Sequence, residues 1–508
     1  MRSGLLHILS AVALLRSGPE MPLRLKSLRQ RSASLPRLKA RLTIRKLKIR
    51  NQTSLMLWML LYLWTSGVRN RTIHKIHNYH IFFSMEHKTP SLSAREVRQC
   101  RVCGNTELIS VVDIGEQYLS SVFPEDLGYR ATASRYPLKL ALCRKKNDGA
   151  SCGLLQLRHH LDLTPMYDAY PYTSATNSSM TQILRDVAES GRAVADLKPD
   201  DIILDIGGND GTLLSFFKDE PYQLLNIDPA KNVVALVDSP RYRAVNAFFS
   251  EASFRSVSQK KAKLIFSIAM FYHLDNPMQF SREVAAVLDD DGVWIIQMAY
   301  LPAMIRTNMY DNIVHEHAGY YATQQVKWIM EKVGLEVFDV LENDVYGGSF
   351  RIFVKKKGSP RCVPTERLRT TLERELSEGI FEEATYRAFM QRIEKTREDL
   401  LALITRIKAE GKSIWIYGAS TKGNTILQYC GLGNKEIDAA ADSNAFKIGK
   451  YIIGSDIPIK DEAAMRAAKP NYLLALPYSF VDGFMKREAE LIAHGTKFIV
   501  PLPEVKIV

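Results

Sequence analysis

Acidic residues are almost missing from the first 84 positions, where Glu20 stands alone against 16 Lys and Arg. That stretch carries +15, more than the formal charge of +13 for the whole chain. Positions beyond it hold 52 basic and 54 acidic side chains, a net of −2. The basic balance therefore says nothing in favour of nucleic acid for the body of the protein, and no nucleic-acid partner is expected. Long apolar runs are missing as well: Leu55–Trp64 is half the length of a membrane-spanning helix, which needs about 20 residues. Cysteine is scarce, six in 508 residues, as expected of reduced thiols in a cytoplasmic chain. Two phosphate-binding signatures are also absent where glycine turns occur, G-x-G-x-x-G and G-x-x-x-x-G-K-[ST].

What is present is ordinary globular composition, 46% hydrophobic and 24% charged. At this length about three or four domains are expected. Residues 1–84 read in three ways: a basic amphipathic helix on a membrane surface, an organellar transit peptide, or an extension ahead of a natural start at Met85. The last is favoured.

The most informative stretch runs from Ile202 to Phe216, IILDIGGNDGTLLSF. An apolar strand ends in Asp205, breaks into Gly207, Gly208, Asn209 and Gly211, and passes straight into a helix. Such a turn lets the backbone approach a ligand closely. Asp205 would repel a phosphate and suits a ligand with a cationic amino acid end. The next strand, Tyr222 to Ile227, ends in Asp228 and Pro229, where a doubly wound sheet holds ribose hydroxyls. Together DIGGNDG and NIDP resemble the S-adenosylmethionine (SAM) site of class I methyltransferases.

Four cysteines fall in two pairs, Cys100–Cys103 and Cys143–Cys152. Two such pairs supply the four soft ligands of a tetrahedral Zn²⁺, leaving no open position, so the metal is expected to be structural. Cys362 and Cys430 are isolated. Residues 166–180, MYDAYPYTSATNSSM, read as a hydroxyl-displaying loop, followed by a helix over 181–197. Strands and helices then alternate, as in a mainly parallel sheet, with SIAMFYH (267–273) expected at its carboxyl edge beside the ligand.

In YDNIVHEHAGYY (310–321), three titratable side chains stand in a row: His315, Glu316 and His317. Histidine suits a general base near neutral pH, and an adjacent carboxylate can fix its tautomer. A metal site built on H-x-H, or a plain polar loop, are the rivals. Residues 364–408 read as one or two connecting helices. A second α/β unit follows, with a turn, GASTKGNT (418–425), in which backbone N–H groups, Lys422 and hydroxyls suit an anionic group.

Several motifs in one order carry a wider resemblance: CGLLQL, DIGGNDG, IVHEHAGYY, YGGSFR, YGASTKGNT, DSNAFKIGKYIIGSDIPI and LPYSF. From about Cys100 to the C-terminus the chain resembles the sugar C-methyltransferases that act on nucleotide-linked keto sugars. The resemblance implies an α/β protein: a class I SAM methyltransferase (Rossmann-like) central domain, a small zinc-binding domain and a second Rossmann-like C-terminal domain. The expected boundaries are 85–165 (zinc-binding), 166–358 (methyltransferase), 359–408 (helical connector) and 409–508 (substrate-binding). His317 is implied as the base that removes the proton beside a keto group, with His315, Glu316, Tyr170 and Tyr172 as further catalytic candidates. SAM is expected on Asp205, Gly207, Gly208, Asn209, Gly211, Asp228 and Pro229, and Zn²⁺ on Cys100, Cys103, Cys143 and Cys152. The substrate is expected on Tyr417, Lys422, Asn424 and Lys447. The chain departs from the family pattern at Val314, where tyrosine is usual, and at Asp228, where glutamate is common. Two other functions fit the SAM domain: O- or N-methylation of another small molecule, and SAM binding without turnover.

Overall fold

Ile202–Ile206 is buried at every position, as a strand covered on both faces must be. The structure, a computed structural model, describes residues 92–508 except 147, 148, 170–172, 177, 233–238 and 361. The expectations for residues 1–84 and for Tyr170 and Tyr172 lie outside the described residues.

The first sheet is antiparallel and holds β1 (Leu108–Gln117), β2 (Tyr136–Cys143) and β3 (Leu155–Leu157), in that spatial order. A two-residue strand from far downstream, Gly319–Tyr320, pairs with β3 and completes it. Two of the expected zinc ligands lie beside this sheet: β2 ends in Cys143, and Cys152 precedes β3.

The central sheet is built on β4 (Ile202–Ile206), β5 (Gln223–Ile227), β6 (Tyr242–Val245), β7 (Ala262–Ile268), β8 (Leu288–Ala299), β9 (Leu335–Asn343) and β10 (Ser349–Lys356). Their order is β9-β10-β8-β7-β4-β5-β6. Five strands, β8 to β6, pair in parallel, and β10 inserts antiparallel to both β8 and β9. The order reverses at β4 and β7, and the carboxyl ends there form the crevice where such sheets bind ligands. Helix α1 (Ser178–Val194) buries Met180, Leu184, Val187 and Ala188 at helical spacing against Leu264 and Phe266. It lies so close that a Cβ at Gly191 would sit 2.7 Å from the Phe266 ring. The expected helix over 181–197 is thus displaced by three residues toward the N-terminus. Helix α2 (Pro277–Val287) covers the other face, capped by Asn276, whose side chain accepts from Gln279 N.

The connector forms two helices, α3 (Glu366–Ser377) and α4 (Glu383–Ala409). Glu375 of α3 is fully buried: its carboxylate accepts from Thr323 N at 2.7 Å and Gln324 N at 2.9 Å, at the start of the helix Thr323–Lys332, and from Tyr300 Oη at 2.8 Å. Tyr386, Phe389, Ile393, Leu400 and Ile404 give α4 its apolar stripe, which packs against β1.

The last sheet comprises β11 (Ile414–Tyr417), β12 (Ala439–Ala441), β13 (Tyr451–Ile452), β14 (Ile457–Lys460), β15 (Tyr472–Ala475), β16 (Lys497–Val500) and β17 (Lys506–Ile507). Its order is β13-β14-β12-β11-β15-β16-β17, with the four pairings from β14 to β16 parallel. Helix α5 (Thr421–Cys430) follows β11, capped by Ser420 Oγ. No helix among the described residues is long and apolar enough to cross a membrane.

Candidate active site

The glycine turn after β4 is shaped by backbone that side chains rarely tolerate: φ is +70° at Gly207, +51° at Asn209 and +79° at Gly211. A Cβ at Gly208 would lie 2.6 Å from both Asp205 Oδ2 and Asn226 Oδ1, so only glycine lets the turn pass over the acid. Asp228 clasps the turn from β5, accepting from Asn209 N at 2.8 Å and Ala230 N at 2.8 Å. The loop before α1 is tied to the same turn: Ser174 N donates to Asn209 Oδ1 (3.0 Å) and Ala175 N to Asp210 Oδ2 (2.8 Å).

Above this turn lies a cavity of about 420 Å³, lined by Asp205, Gly207, Gly208, Asn209, Asp228 and Pro229 among others. Gly211 stands back from it and starts the short helix Thr212–Ser215. Burial, reinforced by the charges of Asp228 and Asp210, pushes the Asp205 carboxyl up to about 8. Burial also raises Asp228. Acids held this way favour a ligand that brings its own positive charge, as SAM does with its ammonium and sulfonium groups.

The opposite wall comes from the segment after β7, with Ala269, Met270, His273, Leu274 and Asp275, and from His315 and Glu316. His315 Nε2 lies 3.1 Å from the Tyr136 carbonyl, so it carries the proton and Nδ1 keeps its lone pair. Burial lowers His315 to about 4. Glu316 Oε1 accepts from Ser121 Oγ at 2.6 Å, while Oε2 is enclosed without a partner; burial raises this carboxyl.

His317 occupies the far side of that wall. Its Nδ1 donates to Asn312 O at 2.8 Å, which fixes the tautomer and leaves Nε2 as the basic atom. Its ring stacks on His273, with centroids 5.4 Å apart and planes at 24°, and packs on Tyr272 at 4.2 Å. A void of about 10 Å³, bounded by Tyr272, Asn312, His317 and Tyr320, adjoins it. Burial, then the neighbouring His273 and Lys422, hold His317 well below its ordinary value, so the ring is neutral. Lys422 reaches this point from the first turn of α5. The opposing charge that acts on it is Asp311, which also accepts from Tyr478 Oη at 3.1 Å.

The residues expected to hold substrate divide sharply. Lys422 arrives at the HEH loop. Asn424 is buried where α5 meets the first sheet, its Nδ2 3.4 Å from Ser120 O. Lys447 is paired with Asp442 Oδ2 (3.1 Å) and Ala419 O (2.9 Å). Tyr417 does not reach the cleft. Side chains alternate along β11, so Ile414 and Ile416 face the main core while Trp415 and Tyr417 point the other way. The Tyr417 hydroxyl donates to Glu488 Oε1 at 2.8 Å and accepts from Arg487 Nε at 2.8 Å. The H-x-H metal alternative also fails, because His315 and His317 lie on opposite sides of one wall. Sequence reasoning missed Tyr272, His273, Asp311, Ser121 and Tyr478. For His273 the signal existed, since it ends the segment expected at the sheet's carboxyl edge.

The four cysteine Sγ atoms lie within 4.8 Å of one another, with Cys100–Cys152 at 3.4 Å and Cys103–Cys143 at 3.6 Å. A tetrahedron with Zn–S arms of about 2.3 Å has corners about 3.8 Å apart, so the quartet fits Zn²⁺. With four thiolates and no open position, the metal shapes the module and takes no part in chemistry.

Three family models match consecutive stretches: "Putative zinc binding domain" over residues 100–167, "Methyltransferase domain" over 180–340, and "C-methyltransferase C-terminal domain" over 344–503. The C-methyltransferase NovU of Streptomyces niveus is 29% identical over 416 residues, covering 82% of this chain and 97% of that protein. Among solved structures, the plantazolicin methyltransferase BpumL in complex with SAH covers 38% of this chain and 89% of its own, at 12% identity and TM-score 0.29. Magnesium protoporphyrin IX methyltransferase from Synechocystis PCC 6803 with bound SAM covers 35% and 79%, at 12% identity and TM-score 0.27. At such scores the fold rests on the strand order and the family models. With SAM and Zn²⁺ as its cofactors, the chain is a SAM-dependent methyltransferase, similar to C-methyltransferases over most of its length.

Proposed function

We propose that this C-methyltransferase acts on a nucleotide-linked keto-deoxysugar, with His317 as the general base. The observation that carries the reading is the His317 ring: neutral, fixed by Asn312 O through Nδ1, and one stacked ring away from the SAM cavity. A C–H beside a ketone is a weak acid, so methylation at carbon needs a base held in its unprotonated form. Bound SAM supplies an electrophilic methyl group. His317 Nε2 takes the proton, and the electron pair left on the acceptor becomes an enolate whose carbon is the nucleophile. Lys422 brings positive charge to the same place, which favours an anionic acceptor. Glu316, with one free oxygen in the cavity, offers a hydrogen-bond acceptor to a sugar hydroxyl. We place the domain limits as expected from the sequence and the protein in the cytoplasm, where thiol ligands stay reduced.

The test is incubation with labelled SAM and a panel of nucleotide-linked 4-keto-6-deoxy sugars, with the product mass and the methylated atom read out. With SAM replaced by its demethylated product, the wild type should exchange deuterium from D₂O into the keto sugar. A product methylated on oxygen or nitrogen, with no exchange, would overturn the proposal.

A further inference from the structure

Arg101 sits inside the first cysteine knuckle, between Cys100 and Cys103, yet its side chain leaves the zinc centre and lines the SAM cavity. The side chain is 4% exposed. Its backbone N–H donates to Gln156 Oε1 at 2.9 Å, and its Nη2 to His159 O at 3.3 Å. The guanidinium's carboxylate partner is Asp275, bound through Nη1. Asp275 closes the segment 269–275 that forms the far wall of the cavity, immediately before Asn276 caps α2.

Asp275 is held by more than one hand of the zinc-binding module. His160 Nδ1 lies 2.9 Å from Asp275 Oδ1, and Arg95 Nη2 lies 4.0 Å from Oδ2. Arg95 and His160 are cross-strand partners in the short antiparallel pair formed by Ala94–Glu96 and His159–Leu161. Three groups from one module thus converge on a single carboxylate of the cofactor wall. Among them only Arg101 is buried; Asp275 keeps 46% exposure, so the need for a counter-charge lies with the buried cation, and the pair ties the knuckle to the wall.

We infer that Arg101 is a cofactor-positioning residue, by which the zinc knuckle fixes the 269–275 wall and so sets the affinity for SAM. Because a metal held by Cys100 and Cys103 fixes the backbone that carries Arg101, this gives the structural zinc a consequence at the methyl-donor site. The inference does not depend on the acceptor.

The experiment is a double-mutant cycle on the full-length, zinc-loaded protein, with SAM affinity measured by calorimetry and zinc content by elemental analysis. Arg101→Met and Asp275→Asn should each weaken SAM binding about 2- to 30-fold, the range for coupling through one side-chain network. The double variant should be no weaker than the worse single one, Arg101→Lys should recover most of the loss, and zinc should stay at one equivalent. KM for SAM should rise while kcat holds. Unchanged affinity in Arg101→Met overturns the inference, as do additive losses, which would mean that Asp275 meets SAM independently of Arg101. If Arg101→Met does not fold, Arg101→Gln and Asp275→Asn with their double variant form the same cycle, read by the same additivity.

Discussion

Ser121 and Glu316 are 195 residues apart in the chain and share a hydrogen bond of 2.6 Å. The hydroxyl comes from the loop after β1, in the zinc-binding module, and the carboxylate from the HEH loop beside the cofactor cavity. The donor opposes the effect of burial, which raises the Glu316 carboxyl.

Ser121→Ala should therefore raise the Glu316 carboxyl further, since a hydrogen bond to the charged form favours that form. The acidic limb of kcat/KM should move to higher pH, while the affinity for SAM stays put. A pH–rate profile superimposable on that of the wild type would show that Glu316 does not titrate in the reaction.

Replacing His317 by Asn should cost roughly 10²–10⁴-fold in turnover, the usual contribution of general base catalysis. SAM binding should survive, because this ring stands behind His273 and outside the cofactor cavity. Since burial depresses its pKa, the limb belonging to His317 in the wild-type profile should fall below pH 6.5. Full turnover in His317→Asn, measured with saturating SAM, would remove the base from the scheme.

Asp205 gives the cofactor site a pH dependence of definite sign. Its carboxyl is raised to about 8 in the folded protein, against about 3.9 in an unfolded chain. Between those values the folded state holds the extra proton. The group's contribution to stability is thus fully present below about pH 4 and lost as the pH rises through 8. An ammonium group beside Asp205 reverses this by favouring the carboxylate. SAM should accordingly release a proton on binding at pH 7, and its thermal stabilisation should grow from pH 6.5 to 8.5. Calorimetry in buffers of different ionisation enthalpy reads the proton directly, and an enthalpy independent of the buffer would contradict the scheme.

Zinc removal should behave as loss of structure rather than loss of chemistry. One equivalent should co-purify, and Cys100→Ser should destabilise the fold by more than about 4 kcal/mol, a size reserved for lost cores, disulfides and metals. Elemental analysis with a thermal melt checks both statements. A metal-free preparation melting at the holoprotein's temperature would contradict them.

Features confined to one stretch of chain were legible in advance. The DIGGNDG turn and the acid 23 positions beyond it fall where the sheet reverses, because a strand, a glycine turn and a helix are all local. The cysteine quartet also read directly, since two close pairs already limit the geometry. Tyr417 misled because its residue type suits a substrate site, and only the alternation of β11 decides which face it takes. Lys422 was legible as a cation, but Asp311, its counter-charge, lies 111 positions earlier and comes near it only in the folded chain. The same holds for His273, whose worth depends on stacking against a histidine 44 positions later.

Glu375 bears on how such enzymes can be recombined. Although it belongs to the stretch that reads as a connector, its carboxylate closes the first turn of Thr323–Lys332 and takes the Tyr300 hydroxyl. A chimera that grafts another C-terminal half onto this SAM half at residue 358 would bring a foreign α3 with it. Unless that α3 supplies an acid at the same place, two helix-end N–H groups and a phenol would be buried without partners, at about 1–3 kcal/mol each. The seam for exchanging C-terminal halves lies beyond Ser377, so α3 should travel with the half it caps.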